Sequence, residues 1–291
     1  MKPAPFTYHD PRSLAEATDL LASLENARVL AGGQSLMPMM NFRYAMPDHV
    51  IDLNKIGELA YVRFEGERLR VGAMTRQRDL EFSAEVGLRC PILHDALSHV
   101  GHRQTRNRGT LGGSLCHLDP SAELVNVTAL LGGTLQAASK QGKRDIPMAE
   151  FAVGYMTSSL NVDELLESVT LPLPEARHGY AFVEFARRHG DFAIVACSAL
   201  IGIGRNGAIE HARLALSGLG HTPVRPASVE RALKGEKPAA AAFKAAAAEA
   251  ARIDAVADAY VTAEYRQHLA RVLTFRALEQ AAARAMEIAH A

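Results

Sequence analysis

Cysteine is almost missing from this chain of 291 residues: Cys90, Cys116 and Cys197 stand far apart and form no Cys-x-x-Cys pair. That spacing argues against a structural zinc, an iron–sulfur cluster held by this chain alone and a disulfide framework, and it fits a reducing compartment. Net charge is missing too. The 32 basic side chains balance 32 acidic ones, so no long-range field gathers nucleic acid. No run approaches membrane-spanning length, and the start, Met1-Lys2-Pro3-Ala4-Pro5, has no apolar signal stretch. These absences predict a soluble cytoplasmic protein with no membrane span. Neither the Gly-x-Ser-x-Gly elbow of a serine hydrolase nor the Gly-x-x-x-x-Gly-Lys run of a P-loop is present. The twelve histidines include His94, His99 and His102, but none forms a helical i, i+4 pair with a neighbouring carboxylate. Cys116-His117-Leu118-Asp119 crowds ligand types into adjacent positions that rarely aim at one ion. No metal site is expected.

What is present is apolar. Hydrophobic residues make up 48% of the chain, enough for two modest cores or one large domain. Ser13 and Glu16 read as a capping box ahead of a helix whose apolar face is Leu14, Ala17, Leu21 and Leu24. A strand over 28–31, a glycine loop, a helix over 36–42 with Pro38 in its first turn, and a strand over 49–53 form a β–loop–α–β unit, which implies a small parallel sheet. Strands over 61–64 and 68–73 flank Glu65-Gly66-Glu67 as a hairpin. Helices follow over 75–82 and 91–100. A polar loop, Arg103 to Arg108, comes next, and Pro120 opens a helix that runs to Leu131. Strands over 134–138 and 165–171 end at Pro172-Leu173-Pro174-Glu175, the strongest linker signal. Beyond it lie strands over 180–185, 192–203 and 208–217. Helices over 226–233, 238–253 and 264–288 complete the chain. The alanine-rich stretch is read as a packed helix because Phe243 and Ile253 punctuate it.

Gly202-Ile203-Gly204-Arg205-Asn206-Gly207 spells a dinucleotide fingerprint, but the residues after it alternate like a strand, so Arg205-Asn206-Gly207 is read as a hairpin turn. Two plainer runs carry more: Ala31-Gly32-Gly33-Gln34-Ser35 and Thr110-Leu111-Gly112-Gly113-Ser114. Either alone is an ordinary glycine turn. The first leaves a strand and enters a helix, so its N–H groups can face an anion. The second follows the locally basic Arg106-Asn107-Arg108 and precedes His117, Asp119 and Glu123. Anion donors with adjoining carboxylates suit a nucleotide, whose hydroxyls and amine are donors.

At these residues the chain resembles the FAD-binding medium subunits of molybdenum hydroxylases, the family of the carbon monoxide and xanthine dehydrogenases. The resemblance runs from Ala31 to Arg43 and from Arg106 to Leu124. It continues through Gly154-Tyr155, Asp163 to Leu166, Arg187 to Ala193 and Tyr265-Arg266, in family order. It implies an α+β chain. Residues 1–175 would be an FAD-binding domain of the PCMH, vanillyl-alcohol oxidase-like type with subdomains 1–56 and 57–175. Residues 176–291 would be a carbon monoxide dehydrogenase flavoprotein-like domain, a three-stranded antiparallel sheet with helices. It also implies the site. Ala31, Gly32, Gly33, Gln34, Ser35 and Leu36 would wrap the FAD diphosphate from one side, and Thr110, Leu111, Gly112, Gly113 and Ser114 from the other. Asp119 or Glu123 would accept from ribityl or ribose hydroxyls, and Leu166 would lie against a ring. Cys116 stands where alanine is common. Val183 stands where xanthine dehydrogenases carry a flavin-contacting lysine, with Arg187 or Arg188 as its substitute. No catalytic residue is expected, because hydroxylation would occur at molybdenum, held by molybdopterin in a large partner subunit. Electrons would pass through 2Fe-2S clusters of a small partner to this FAD and on to an external acceptor, in a dimer of heterotrimers. Exposed apolar surface would mark the partner contact. A self-sufficient flavin oxidase or dehydrogenase and a non-redox nucleotide-binding module are the alternatives.

Overall fold

The computed structural model describes residues 1–175 and 178–290, with side chains to Ile288; Ala176, Arg177 and Ala291, on which limits of the expected domains fall, lie outside them. Strand β1 (Thr7–His9), helix α1 (Leu14–Ser23), β2 (Ala27–Leu30), α2 (Leu36–Asn41) and β3 (His49–Asp52) form the first layer. Its sheet is parallel, in the order β1-β3-β2, as the β–loop–α–β pattern requires. Ser13 caps α1 by accepting from the Glu16 N–H at 3.2 Å. The return arm differs from a strict capping box: the Glu16 carboxylate accepts from the Arg12 N–H at 2.8 Å. Ala17 and Leu21 of α1 bury against Ile51, Leu53 and Ile56.

The second layer begins with the expected hairpin, β4 (Val62–Glu65) and β5 (Arg68–Gly72). Helices α3 (Gln77–Glu81), α4 (Ala84–Arg89), α5 (Pro91–His99), α6 (Arg103–Arg108), α7 (Leu111–His117) and α8 (Glu123–Leu131) follow. Then come β6 (Thr134–Ser139), β7 (Gly142–Pro147), α9 (Met148–Phe151), β8 (Ala152–Gly154), β9 (Thr157–Ser158) and β10 (Leu165–Pro172). The antiparallel order is β4-β5-β10-β6-β7. Three sequence expectations fail here. The polar segment 103–108 is helix α6 rather than a loop. The second glycine run is α7, capped by the Thr110 hydroxyl on the Gly113 N–H. Helix α8 starts at Glu123, three residues after Pro120, because Asp119 first closes a turn: its carboxylate takes the Ser121 N–H and its carbonyl the Ala122 N–H. All nine residues of α8 are buried, so this helix lies inside the molecule with no solvated face.

The third layer is a meander, β11 (His178–Phe185), β12 (Val195–Ile203) and β13 (Ile209–Ser217), antiparallel in that order. Helices α10 (Ala227–Leu233), α11 (Ala240–Ala250) and α12 (Ala263–His290) complete it. The glycine-spaced run at 202–207 is a hairpin turn, as expected, with Gly207 at φ +74. Strand β12 begins three residues later than expected, since Arg188 and Asp191 close a turn and the Ile194 N–H bonds back to Phe185 at 2.7 Å. The alanine-rich segment is helical and buries Phe243, Ala246, Ala247 and Ala250. Gly179 abuts the backbone of Ala281 and Ala285, so small residues on both sides let α12 lie close on β11.

Candidate functional site

A cleft of about 920 Å³ opens between the first two layers, with the segment after β11 at its rim. That volume suits a large organic ligand. Ala31, Gly32, Gly33, Gln34, Ser35 and Leu36 all line it, as the turn from β2 into α2. Gly33 sits at φ +76, a left-handed conformation costly for any residue with a Cβ. Among the described residues no acceptor takes the N–H groups of Gly32, Gly33, Gln34, Ser35 or Leu36. Five unpaired donors in one concave turn are the feature an anion needs. The Gln34 amide closes on the Gly32 carbonyl at 3.2 Å and steadies the turn.

The second run works differently from the expected matching grip. The N–H groups of residues 111–113 are already spent: Leu111 donates to Thr75 O at 3.1 Å, Gly112 to Ala73 O at 2.9 Å and Gly113 to Thr110 Oγ1 at 3.0 Å. The glycines serve packing instead. A Cβ on Gly112 would stand 2.5 Å from the Ala73 Cβ, and one on Gly113 would stand 2.8 Å from Thr110 Oγ1 and 3.3 Å from the Ala31 Cβ. Gly32 in turn abuts the Arg108 carbonyl. The two runs therefore pack directly on each other. Thr110, Gly112, Gly113 and Ser114 line the cleft, whereas the Leu111 side chain is fully buried in the core of the second layer.

Asp119, Glu123 and Leu166 also line the cleft. Glu123 is only 5% exposed; burial, with the charge of Glu184 adding, pushes its carboxyl up to about 8. Such an acid is neutral at pH 7 and can donate as well as accept. Burial holds His117 below the usual histidine range, against the pull of Asp119. The Cys116 thiol is pushed up to about 12 by burial, so it is no thiolate. Arg187 is not brought to the cleft: its guanidinium lies over the Tyr260 ring at 5.0 Å. Among the described residues no group of three His, Cys, Asp or Glu is placed to hold a metal, and no helix is long and apolar enough to cross a membrane.

Several lining residues escaped the sequence reading. Arg28, on β2, brings a cation to the cleft, and Phe192 brings an exposed aromatic ring from beyond β11. Phe192 falls within the Arg187 to Ala193 segment of the resemblance, which was the signal available. Asn54 and Arg76 lie outside every motif. The Asn54 amide donates to Ala31 O at 2.9 Å, and Arg76 bridges Asn54 Oδ1, at 2.5 Å, to the Arg108 carbonyl. They stitch the two glycine runs together.

These residues fit FAD: free N–H donors and Arg28 for a diphosphate, carboxyls for hydroxyl donors, and Leu166 and Phe192 as apolar surface for a ring. The matches to known proteins agree. Residues 4–174 match the family described as the FAD binding domain in molybdopterin dehydrogenase. Residues 180–281 match the CO dehydrogenase flavoprotein C-terminal domain. The caffeine dehydrogenase subunit beta of Pseudomonas sp. (strain CBB1) is 40% identical, over 99% of this chain and 98% of its own. A chain of quinoline 2-oxidoreductase from Pseudomonas putida 86 superposes with TM-score 0.95 at 34% identity, over 98% of this chain and all of its own. A chain of the carbon monoxide dehydrogenase of Hydrogenophaga pseudoflava superposes with TM-score 0.94 at 35% identity, over 98% and 99%. The chain belongs to the FAD-binding subunits of the molybdenum hydroxylases, oxidoreductase components that pass electrons through FAD.

Proposed function

We propose that this chain holds FAD in the cleft between its first two layers, with the diphosphate on the five free N–H groups of residues 32–36. That set of donors carries the reading. Residues 110–114 shape the opposite wall, Asp119 and Glu123 meet hydroxyl groups of the cofactor, and Leu166 lies against a ring. Bound FAD supplies two-electron redox chemistry that can also proceed one electron at a time. Electrons reach it from 2Fe-2S clusters of a small partner subunit and leave for an external acceptor. The substrate is hydroxylated at molybdenum in a large partner. The assembly is a dimer of heterotrimers in the cytoplasm. The chain divides into an FAD-binding domain, residues 1–175, with subdomains 1–56 and 57–175, and a C-terminal domain, residues 176–291. Phe42 and Tyr44, both more than half exposed, supply apolar surface for partner contact.

Gly33→Val tests the cleft. The substitution forces a β-branched residue into φ +76 and disorders the donor turn. The variant should co-purify with its partners, keep its far-ultraviolet circular dichroism and lose most of its flavin absorbance. Full flavin content in the folded variant would overturn the site.

A further inference from the structure

Gln77 opens α3 and lines the cleft, yet it is only 4% exposed. Its Oε1 is buried without a partner, and among the described residues nothing accepts from its Nε2. The backbone that carries it is fixed. The Gln77 N–H donates to Gly109 O at 2.9 Å and the Leu111 N–H to Thr75 O at 3.1 Å, so residues 75–77 are tied to residues 109–111. Gly109, also in the cleft lining, makes room for the amide: a Cβ there would stand 2.5 Å from the Gln77 Oε1.

The polar groups nearby are committed elsewhere. Thr105 O takes the Gly109 N–H at 2.7 Å, Arg108 O accepts from Arg76, and the Thr75 hydroxyl bonds to the N–H and the carbonyl of Tyr61. A buried amide left unpaired is costly, and the open side of this one is the cleft. Ala73, Met74, Val100 and Gly101 line the cleft beside it and carry no charge, which suits a flat neutral ring. The diphosphate already has the N–H groups of residues 32–36. FAD carries a ring system at each end, adenine and isoalloxazine, and both present an N–H donor beside an acceptor. A primary amide holds one donor end and one acceptor end, so it can pair with such an edge whichever way its last bond is turned.

We propose that the Gln77 amide hydrogen-bonds the donor–acceptor edge of one ring of bound FAD. The proposal rests on the reading of the cleft as the FAD site. The donor turn at residues 32–36 would grip the diphosphate of any nucleotide. Gln77 adds recognition of a ring, and no hydrogen bond within the protein is given up when that ring arrives.

Gln77→Leu keeps the approximate size of the side chain and removes both polar atoms. In the flavin-free full chain its urea midpoint should match or exceed that of the wild type, because the protein loses no hydrogen bond. Its affinity for FAD, read from flavin fluorescence, should fall about ten- to a hundredfold as the ring edge loses its buried partner. Calorimetric titration of ADP and of FMN into the same flavin-free chains locates the contact. A matching loss for ADP alone assigns the adenine edge, and one for FMN alone assigns the isoalloxazine edge. Wild-type affinity for FAD in Gln77→Leu, a lowered urea midpoint, or a loss shared by both fragments or by neither would each overturn the contact and leave the cleft standing. Full flavin in Gly33→Val would overturn the cleft assignment, and the contact with it.

Discussion

Glu123 shows how one buried side chain couples folding to pH. Its folded carboxyl titrates at about 8, above the usual value of 4.5. Between these values the folded chain keeps a proton that the unfolded chain has released. The stability due to this residue is therefore complete below the unfolded value and is lost as pH rises through 8. The flavin-free protein should grow less stable from pH 5 to pH 9, and Glu123→Gln should flatten that decline in urea midpoints. An unchanged pH slope in the variant would contradict a neutral Glu123. The identity of this residue was legible in the sequence; its charge state was not. Nothing local to Glu123 shows that its carboxyl will be buried, or that the charge of Glu184 from β11 will act on it.

At the scale of elements, Arg266 of α12 joins segments that arrive from three parts of the chain. Its guanidinium donates to Ile194 O at 2.7 Å and Gly218 O at 2.5 Å, and it pairs with Asp258 at 2.5 Å. The Gly218 N–H in turn donates to Pro120 O at 2.9 Å, next to Asp119 in the cleft wall. Arg266→Met should cost about 2–3 kcal/mol, as buried carbonyls lose a charged donor, and should lower flavin affinity by loosening residues 119 and 192. A midpoint within error of wild type by chemical denaturation would refute this. Helix periodicity located α12, and Tyr265-Arg266 was noticed as a motif, but its partners became visible only in three dimensions. The same limit explains the errors over α6, the start of α8 and the start of β12. Arg103 to Arg108 has no apolar face to announce a helix. The turns at 119–122 and 188–191 depend on hydrogen bonds that composition does not reveal.

Across the whole molecule, α8 is the shared surface between the FAD-binding layers and the C-terminal sheet. Asn126, fully buried, donates to Ala215 O at 3.2 Å and Ser217 Oγ at 3.1 Å and accepts from Ser198 Oγ. This polar contact between apolar faces permits one register of the sheet on the helix. Asn126→Ala should cost about 1–3 kcal/mol, the penalty for leaving buried groups unpaired, and should lower the denaturant midpoint with little change in slope. No shift in midpoint would show that packing alone sets the register.

The sequence by itself determined the elements that depend on periodicity and local turns: the parallel β–loop–α–β unit, the hairpins, the long terminal helix and the ordered motifs of an FAD-binding chain. It also singled out the glycines. Tertiary structure decided what those glycines do. Residues 32–36 keep their N–H groups free because the turn leaves them facing a cleft without protein acceptors. Residues 111–113 spend theirs on Thr75, Ala73 and Thr110, and use the missing Cβ atoms to let the two walls meet. Both runs look alike along the chain, because a hydrogen bond to a distant carbonyl is a property of packing rather than of local composition.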